Sequence, residues 1–291
     1  MLVQFHKMHG AGNDFVLLDH RRSGADLDPA LAAHLADRRH GVGCDQVLVL
    51  RASGIVDCKA RYEVFNADGS RAGQCGNGVR CIALYLQRRG EFAAAGDRQD
   101  GEAKAFVKLE GPAGIVRVGL CGDGEYECAM GEPRFEAGEV PLNEGHERLR
   151  RDSDDFMLEV DGEEVRIAAV SMGNPHAVTV VDDSDSAPVA TLGPKISRHP
   201  AFPDGCNAGF AQIVDAENIR LRVFERGSGE TLACGSGACA AVAVLARAKR
   251  VAQTVNVVLP GGHLVIKWNG RGSEMTMKGP AAHVFRGTLD E

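Results

Sequence analysis

The sequence predicts an α/β chain of the α+β kind, built as two pseudo-symmetric domains of about 145 residues each. Three observations predict it. The stretch RYEVFNADGSRAGQCGNGVRC lies without a gap over RLRVFERGSGETLACGSGACA at an offset of 159 residues, which superposes Phe65 on Phe224 and Cys75 on Cys234. Segments rich in β-branched residues around Gly, Pro or Asp-Gly turns outnumber helical ones. A polar run from about Arg134 to Asp155 separates the two copies, and the linker is expected there.

In chain order, VQFHKMHGAGNDFVLLD has the pattern of strand, Gly-rich turn and strand. DLDPALAAHLADRRHGVG follows as a helix opened by Asp28-Pro29 and closed by Gly41. A strand is expected around Val47 and Val49. After Cys75, the residues Val79, Ile82, Ala83 and Leu86 recur at helical spacing, with Arg88 and Arg89 near the end and Gly90 as the stop. Residues 88–104 carry no core-forming pattern and are expected to be a solvated loop. AFVKLEGPAGIVRVGL, MLEVDGEEVRIAAV and GGHLVIKWNG have hairpin chemistry. The helix after Cys234 repeats the earlier one, with Ala238, Ala241, Val242 and Leu245 on its apolar face and Arg247, Lys249 and Arg250 suiting its negative end. Weaker echoes extend the duplication: Gly12-Asn13 lies over Gly173-Asn174 at an offset of 161, and Gln46 falls near Asn207.

A net charge of −7 and a pI of about 5.8 argue against nucleic acid or an anionic membrane as partner, because both call for clustered positive charge. The start MLVQFHKMHGAGNDF holds no long apolar segment, and nowhere do about 18 apolar residues run together. Neither a signal peptide nor a membrane span is expected, and a cytoplasmic location follows. Nine cysteines is an odd number, which suits reduced thiols better than a disulfide framework. Their spacings lack the paired CxxC pattern of a structural zinc site, so no metal is expected. A soluble protein acting on a small molecule is the expectation.

Cys75 and Cys234 each fall at the start of an apolar helix, where unpaired backbone N–H groups and the helix dipole favour a thiolate and can hold an anion. Gly76 and Gly78, like Gly235 and Gly237, leave room for a carboxylate to approach the backbone. The other seven cysteines fit the role of small buried side chains. The doubling has a chemical meaning. Inverting a stereocentre with a weakly acidic hydrogen needs a base on one face and an acid on the other, and two thiols, one of them ionised, can exchange those roles.

HGAGNDF, FNADGS…QCGNGVRC, GNPH and FERGSGETLACGSGACA together resemble the diaminopimelate epimerase family, cofactor-independent racemases that use two cysteines. The likeness covers essentially the whole chain. It implies interconversion of the LL and meso forms of diaminopimelate without pyridoxal phosphate, a step in lysine and peptidoglycan-precursor synthesis. By the same resemblance Cys75 and Cys234 are the acid/base pair, His176 helps to ionise Cys75, and Glu225 partners Cys234. Gly76-Asn77 and Gly235-Ser236 would give backbone N–H groups to the reacting carboxylate, with Asn13 and Gln46 adding amides. Asn66, Asn174, Asn207 and Arg226 would hold the distal amino-acid group, and a guanidinium suits a distal carboxylate. The implied fold is two domains of mostly antiparallel strands, each wrapped around a central helix. Residues 1–132 and the returning 280–291 would form one, and 133–279 the other. The family is commonly dimeric, so a homodimer is implied.

A proline or hydroxyproline racemase shares the two-thiol logic, but Arg226 and the string FERGSGETLACG speak against it. The phenazine-biosynthesis isomerase type of the same fold lacks the cysteine pair. A thiol redox or metal-binding protein would have no use for the Asn, Gln and Arg set. Departures from the family pattern are Cys44, where a small residue such as Ala is usual, and NAGFAQ in place of an Asn-rich string.

Overall fold

Ala11 and Gly12 turn the chain at φ of 53° and 85°, joining β1 (Leu2–Gly10) to β2 (Asn13–Asp19) with Gly10 opposite Asn13. The structure is a computed structural model that describes residues 2–94 and 103–290. Helix α1 (Pro29–Ala36) starts where Asp28 accepts from the Ala30 N–H at 2.9 Å. It stops well short of the expected Gly41. Asp37 leaves the helical conformation, and its Oδ1 accepts from the N–H groups of Arg39 and His40, a local alternative to another helical turn.

The chain continues through β3 (Gln46–Arg51), β4 (Ala60–Asn66), β5 (Arg71–Ala72), α2 (Gly76–Arg88), β6 (Ala93–Ala94), β7 (Ala103–Gly111), β8 (Gly114–Cys121) and β9 (Tyr126–Gly131). Residues 95–102, half of the expected solvated loop, lie outside the described residues. Its flanks are ordered as the end of α2 and as β6, which pairs with β7. Next come β10 (Leu149–Asp152), β11 (Asp155–Val160), β12 (Glu163–Ser171), β13 (Pro175–Val180), α3 (Val189–Ser197), β14 (Asn207–Ile213) and β15 (Asn218–Glu225). The last elements are β16 (Gly229–Thr231), α4 (Gly235–Arg247), β17 (Thr254–Leu259), β18 (Gly262–Lys267), β19 (Met275–Gly279) and β20 (Ala282–Asp290).

These elements form two units, Met1–Ala129 with Lys278–Glu291, and Met130–Met277. Each has the same pairing plan. In the first, β2 is parallel to β3, β3 antiparallel to β4, and β4 antiparallel to β5 and parallel to β7. In the second, β13, β14, β15, β16 and β17 repeat those relations in order. β20 lies antiparallel to β1, as β11 lies antiparallel to β12.

Helices α2 and α4 are both 13 residues long and are sunk into their units. Gly76 through Leu86 are buried without interruption, with β1, β2, β8 and β20 packed around them. α4 is enclosed by β12, β13, β14, β15 and β18. Each is the central helix of a largely antiparallel wrap, the fold expected from the sequence. Glycine makes the approach possible at equivalent points. A Cβ at Gly78 would come within 2.9 Å of Leu48, and one at Gly237 within 2.9 Å of Val223.

The polar run 134–155 is not a linker. Val140, Leu142 and Leu149 are buried in the second unit's core with Phe156 and Phe202, so its few apolar side chains anchor it while the rest stay solvated. Among the described residues no helix is long and apolar enough to cross a membrane.

Candidate active site

Cys75 and Cys234 are the N-caps of α2 and α4, with nearly the same backbone: φ −123°, ψ 107° and φ −112°, ψ 107°. Each sulfur stands at the positive end of a buried helix. Gly76, Asn77, Gly235 and Ser236 fill the first turns, where backbone N–H groups have no partner within the helix.

In the first unit, Cys75 is half-buried, and its sulfur lies 3.9 Å from Asn13 Oδ1. Asn13, placed by the Ala11-Gly12 turn, accepts from Asn77 Nδ2 at 3.1 Å and donates from its own Nδ2 to Asp45 Oδ2 at 2.8 Å. Gln46 and Asn66 face each other across the β3–β4 register, with Gln46 Nε2 donating to Asn66 Oδ1 at 3.1 Å. Behind Asn13 lies a charge network in which Asp14 pairs with Lys7 and Arg38, and Arg38 also pairs with Asp45. Burial pushes the Asp14 carboxyl up, but the hydrogen bonds from Arg38 and Lys7 outweigh it and bring it down to about 2.

In the second unit, Cys234 is buried and accepts from the Gly237 N–H at 3.3 Å, with Ser236 Oγ at 3.6 Å. Burial pushes its thiol well above the ordinary range, and the Glu225 carboxylate adds to this. Hydrogen bonds from Ser236 and Gly237 oppose the shift without cancelling it. At Cys234 desolvation and a neighbouring anion thus act against the thiolate that a helix start is expected to favour. Glu225 ends β15, where it also accepts from Thr231 Oγ1.

His176 and Asn207 are paired across the parallel β13–β14 register. His176 Nε2 lies 3.0 Å from Asn174 Oδ1 and 3.5 Å from Asn207 Nδ2. Nε2 thus faces an acceptor, Asn174 Oδ1, and a donor, Asn207 Nδ2, and each tautomer of the ring satisfies one of them. Burial, with Arg226 nearby, lowers the imidazole to about 3, so the ring is neutral. Asn207 Oδ1 accepts from the Arg226 backbone N–H at 2.8 Å. The exposed Arg226 side chain donates to Asp204 O at 2.6 Å and borders a cleft of about 620 Å³ shared with Phe202, Phe224 and Ser228.

The structure thus gathers Asn13, Cys75 and Asn77 in one cluster, Gln46 and Asn66 in another, Glu225, Cys234 and Ser236 in a third, and Asn174, His176, Asn207 and Arg226 in a fourth. Among the described residues, no group of three or more His, Cys, Asp or Glu side chains is suited to a metal ion.

The family model described as diaminopimelate epimerase matches residues 5–136 and 168–284 of this chain. The chain belongs to the diaminopimelate epimerase family. A diaminopimelate epimerase of Xanthomonas axonopodis pv. citri is 50% identical over 98% of this chain and 95% of its own length. One from Aromatoleum aromaticum is 47% identical over 100% of this chain and 99% of its own. Among solved structures, a hydroxyproline epimerase from Agrobacterium vitis superposes with a TM-score of 0.69, 17% identity and coverage of 99% of this chain and 92% of that one. A phenazine biosynthesis protein of the PhzF family from Bacillus anthracis gives 0.68 at 16% identity, covering 100% of both chains. These two likenesses are of fold, and the diaminopimelate epimerases are the relatives in sequence. Arg80 and Asp45, which hold the Asn77–Asn13 pair, were not singled out from the sequence. The available signal was an arginine set among the apolar residues of the helix that follows Cys75.

Proposed function

We propose that this chain epimerises diaminopimelate by passing the α-hydrogen between two thiols, Cys75 and Cys234, without a cofactor. The activity follows from family membership at about half identity over nearly the full length. The observation that carries the residue assignment is the equivalence of the two cysteines as N-caps of matched, buried helices.

In one direction Cys75, as thiolate, removes the α-proton. The electron pair of the broken C–H bond spreads into the substrate carboxylate, and Cys234 delivers its own proton to the opposite face. The products are a Cys75 thiol and a Cys234 thiolate, and the reverse reaction exchanges the roles. The state of Cys234 supports this order, since burial and Glu225 favour its thiol. Resetting the pair removes a proton from the Cys75 thiol and returns one to the Cys234 thiolate, with His176 assigned to exchange protons with Cys75 and Glu225 with Cys234. Backbone N–H groups of Gly76-Asn77 and Gly235-Ser236 stabilise the charge that develops on the carboxylate, and Asn13 and Gln46 add amides. Asn66, Asn174 and Asn207 hold the distal amino-acid group, and Arg226 forks onto its carboxylate.

We place the enzyme in the cytoplasm as a homodimer acting on a free small molecule in lysine synthesis. The net charge of −7 supports the absence of nucleic-acid and membrane partners. The test is incubation of the purified protein with LL-diaminopimelate, with L-proline in parallel and no pyridoxal phosphate added. Formation of the meso isomer with no D-proline is expected; no meso isomer, or racemised proline, would overturn the assignment.

A further inference from the structure

We infer that Arg80 is a positioning residue for Cys75: from inside α2 it fixes, through Asn77, which atom of Asn13 faces the sulfur. The inference rests on the two-thiol reading above. Arg80 is fully buried, and its hydrogen bonds run to neutral acceptors, Pro280 O at 3.3 Å and Asn77 Oδ1 at 2.8 Å. Burying a guanidinium is costly, so its placement calls for a reason. Space has been left for it. A Cβ at Gly10 would lie 3.3 Å from Arg80 Nη2 and 3.2 Å from Asn77 O.

A guanidinium can only donate, so Asn77 turns its Oδ1 toward Arg80 and its Nδ2 toward Asn13. Asn13 must then offer Oδ1 to Asn77, which leaves its Nδ2 for Asp45 Oδ2. Asp45, ion-paired with Arg38, can only accept. The series Arg80, Asn77, Asn13, Asp45 therefore has a pure donor at one end and a pure acceptor at the other, and both amides between them have a single orientation. Turning either one would set like atoms against each other. As a result Asn13 presents Oδ1, an acceptor, to Cys75 Sγ at 3.9 Å. It can receive the S–H of the thiol and aim that proton, and it offers no bond to the thiolate. The second unit lacks both ends of this relay: the overlay puts the buried Cys239 and Cys206 at the positions of Arg80 and Asp45.

The test is a set of kinetic constants for Arg80→Lys, Arg80→Met, Asp45→Asn and the double variant Arg80→Met/Asp45→Asn, with Cys75→Ala alongside. Lysine keeps a donor at one end of the series and an asparagine amide oxygen keeps an acceptor at the other, so Arg80→Lys and Asp45→Asn are expected to hold kcat within about 3-fold. Arg80→Met should lower kcat about 10-fold with KM nearly unchanged, and the double variant about 100-fold or more, beyond the product of the singles. A double variant equal to that product, or Arg80→Met as active as Arg80→Lys, overturns the relay. Should Arg80→Met fail to fold, neutron diffraction from the unaltered protein decides. Asn13 Nδ2 deuterons directed at Asp45 are expected, and directed at Cys75 Sγ they refute the inference. Turnover by Cys75→Ala would instead remove the two-thiol reading, leaving the neutron result on the amides to stand or fall separately.

Discussion

Around Cys75 the first unit buries a cation, Arg80, and lines up the amides of Asn77 and Asn13; around Cys234 the second unit has Cys239 at the place of Arg80 and sets a carboxylate, Glu225, where the first has Asn66. The backbone has been kept and the charge has not. Both sulfurs cap 13-residue buried helices from nearly the same extended φ and ψ. The difference teaches how a duplicated scaffold can serve a reaction that needs an acid and a base at the same moment. For the proposed reaction, equal geometry suits both sulfurs to either role, and burial with the Glu225 carboxylate favours the thiol at Cys234.

Removing the shared feature should have the largest effect. Cys75→Ala or Cys234→Ala is expected to lower kcat by at least about 1,000-fold, with the circular dichroism spectrum and melting temperature of the unaltered protein. Loss at only one of the two positions would break the comparison. Glu225→Gln removes the carboxylate peculiar to the second unit and sharpens it. The Cys234 thiol should ionise more readily, so that alkylation of Cys234, followed by peptide mass spectrometry, sets in at lower pH, while kcat falls about 100-fold for want of the group that exchanges protons with Cys234. An unchanged alkylation profile would separate Glu225 from Cys234.

Arg226→Ala should raise KM about 10- to 100-fold with a smaller change in kcat, as for the loss of charge-assisted hydrogen bonds worth about 1.5–3 kcal/mol. The smallest effect concerns the ion network behind Asn13. Asp14, held down at about 2, binds a proton less readily folded than unfolded, so its contribution is present above about pH 4 and is lost as pH falls toward 2. Asp14→Asn should reduce the acid sensitivity of unfolding over that range by about 1 kcal/mol, allowing for solvent screening. Urea titrations at pH 3 and pH 6 measure it.

Much of this was legible in the sequence where one local signal decides an element. The Cys-Gly loops, the apolar spacing after each cysteine and the Gly90 stop locate α2 and α4, and the Gly-rich turn locates the β1–β2 hairpin. The end of α1 was missed because Asp37 caps its own turn, a choice that composition does not distinguish from a helical Asp. The run 134–155 passed for a linker because Val140, Leu142 and Leu149 are sparse among charges and follow no period. Asp45 and Arg80 escaped for another reason. Arg80 bonds Asn77 of its own helix and Asp45 bonds Asn13 of β2, and only the Asn77–Asn13 contact, which the folded register supplies, joins the two.

Transfer of hydrogen between two different groups is tested most directly by isotope at early conversion. With LL-diaminopimelate in heavy water, the first meso product should carry one deuterium at the inverted carbon while recovered LL substrate carries none, because the returning hydrogen comes from the second thiol. Product that keeps the substrate's own hydrogen at that carbon would contradict the account.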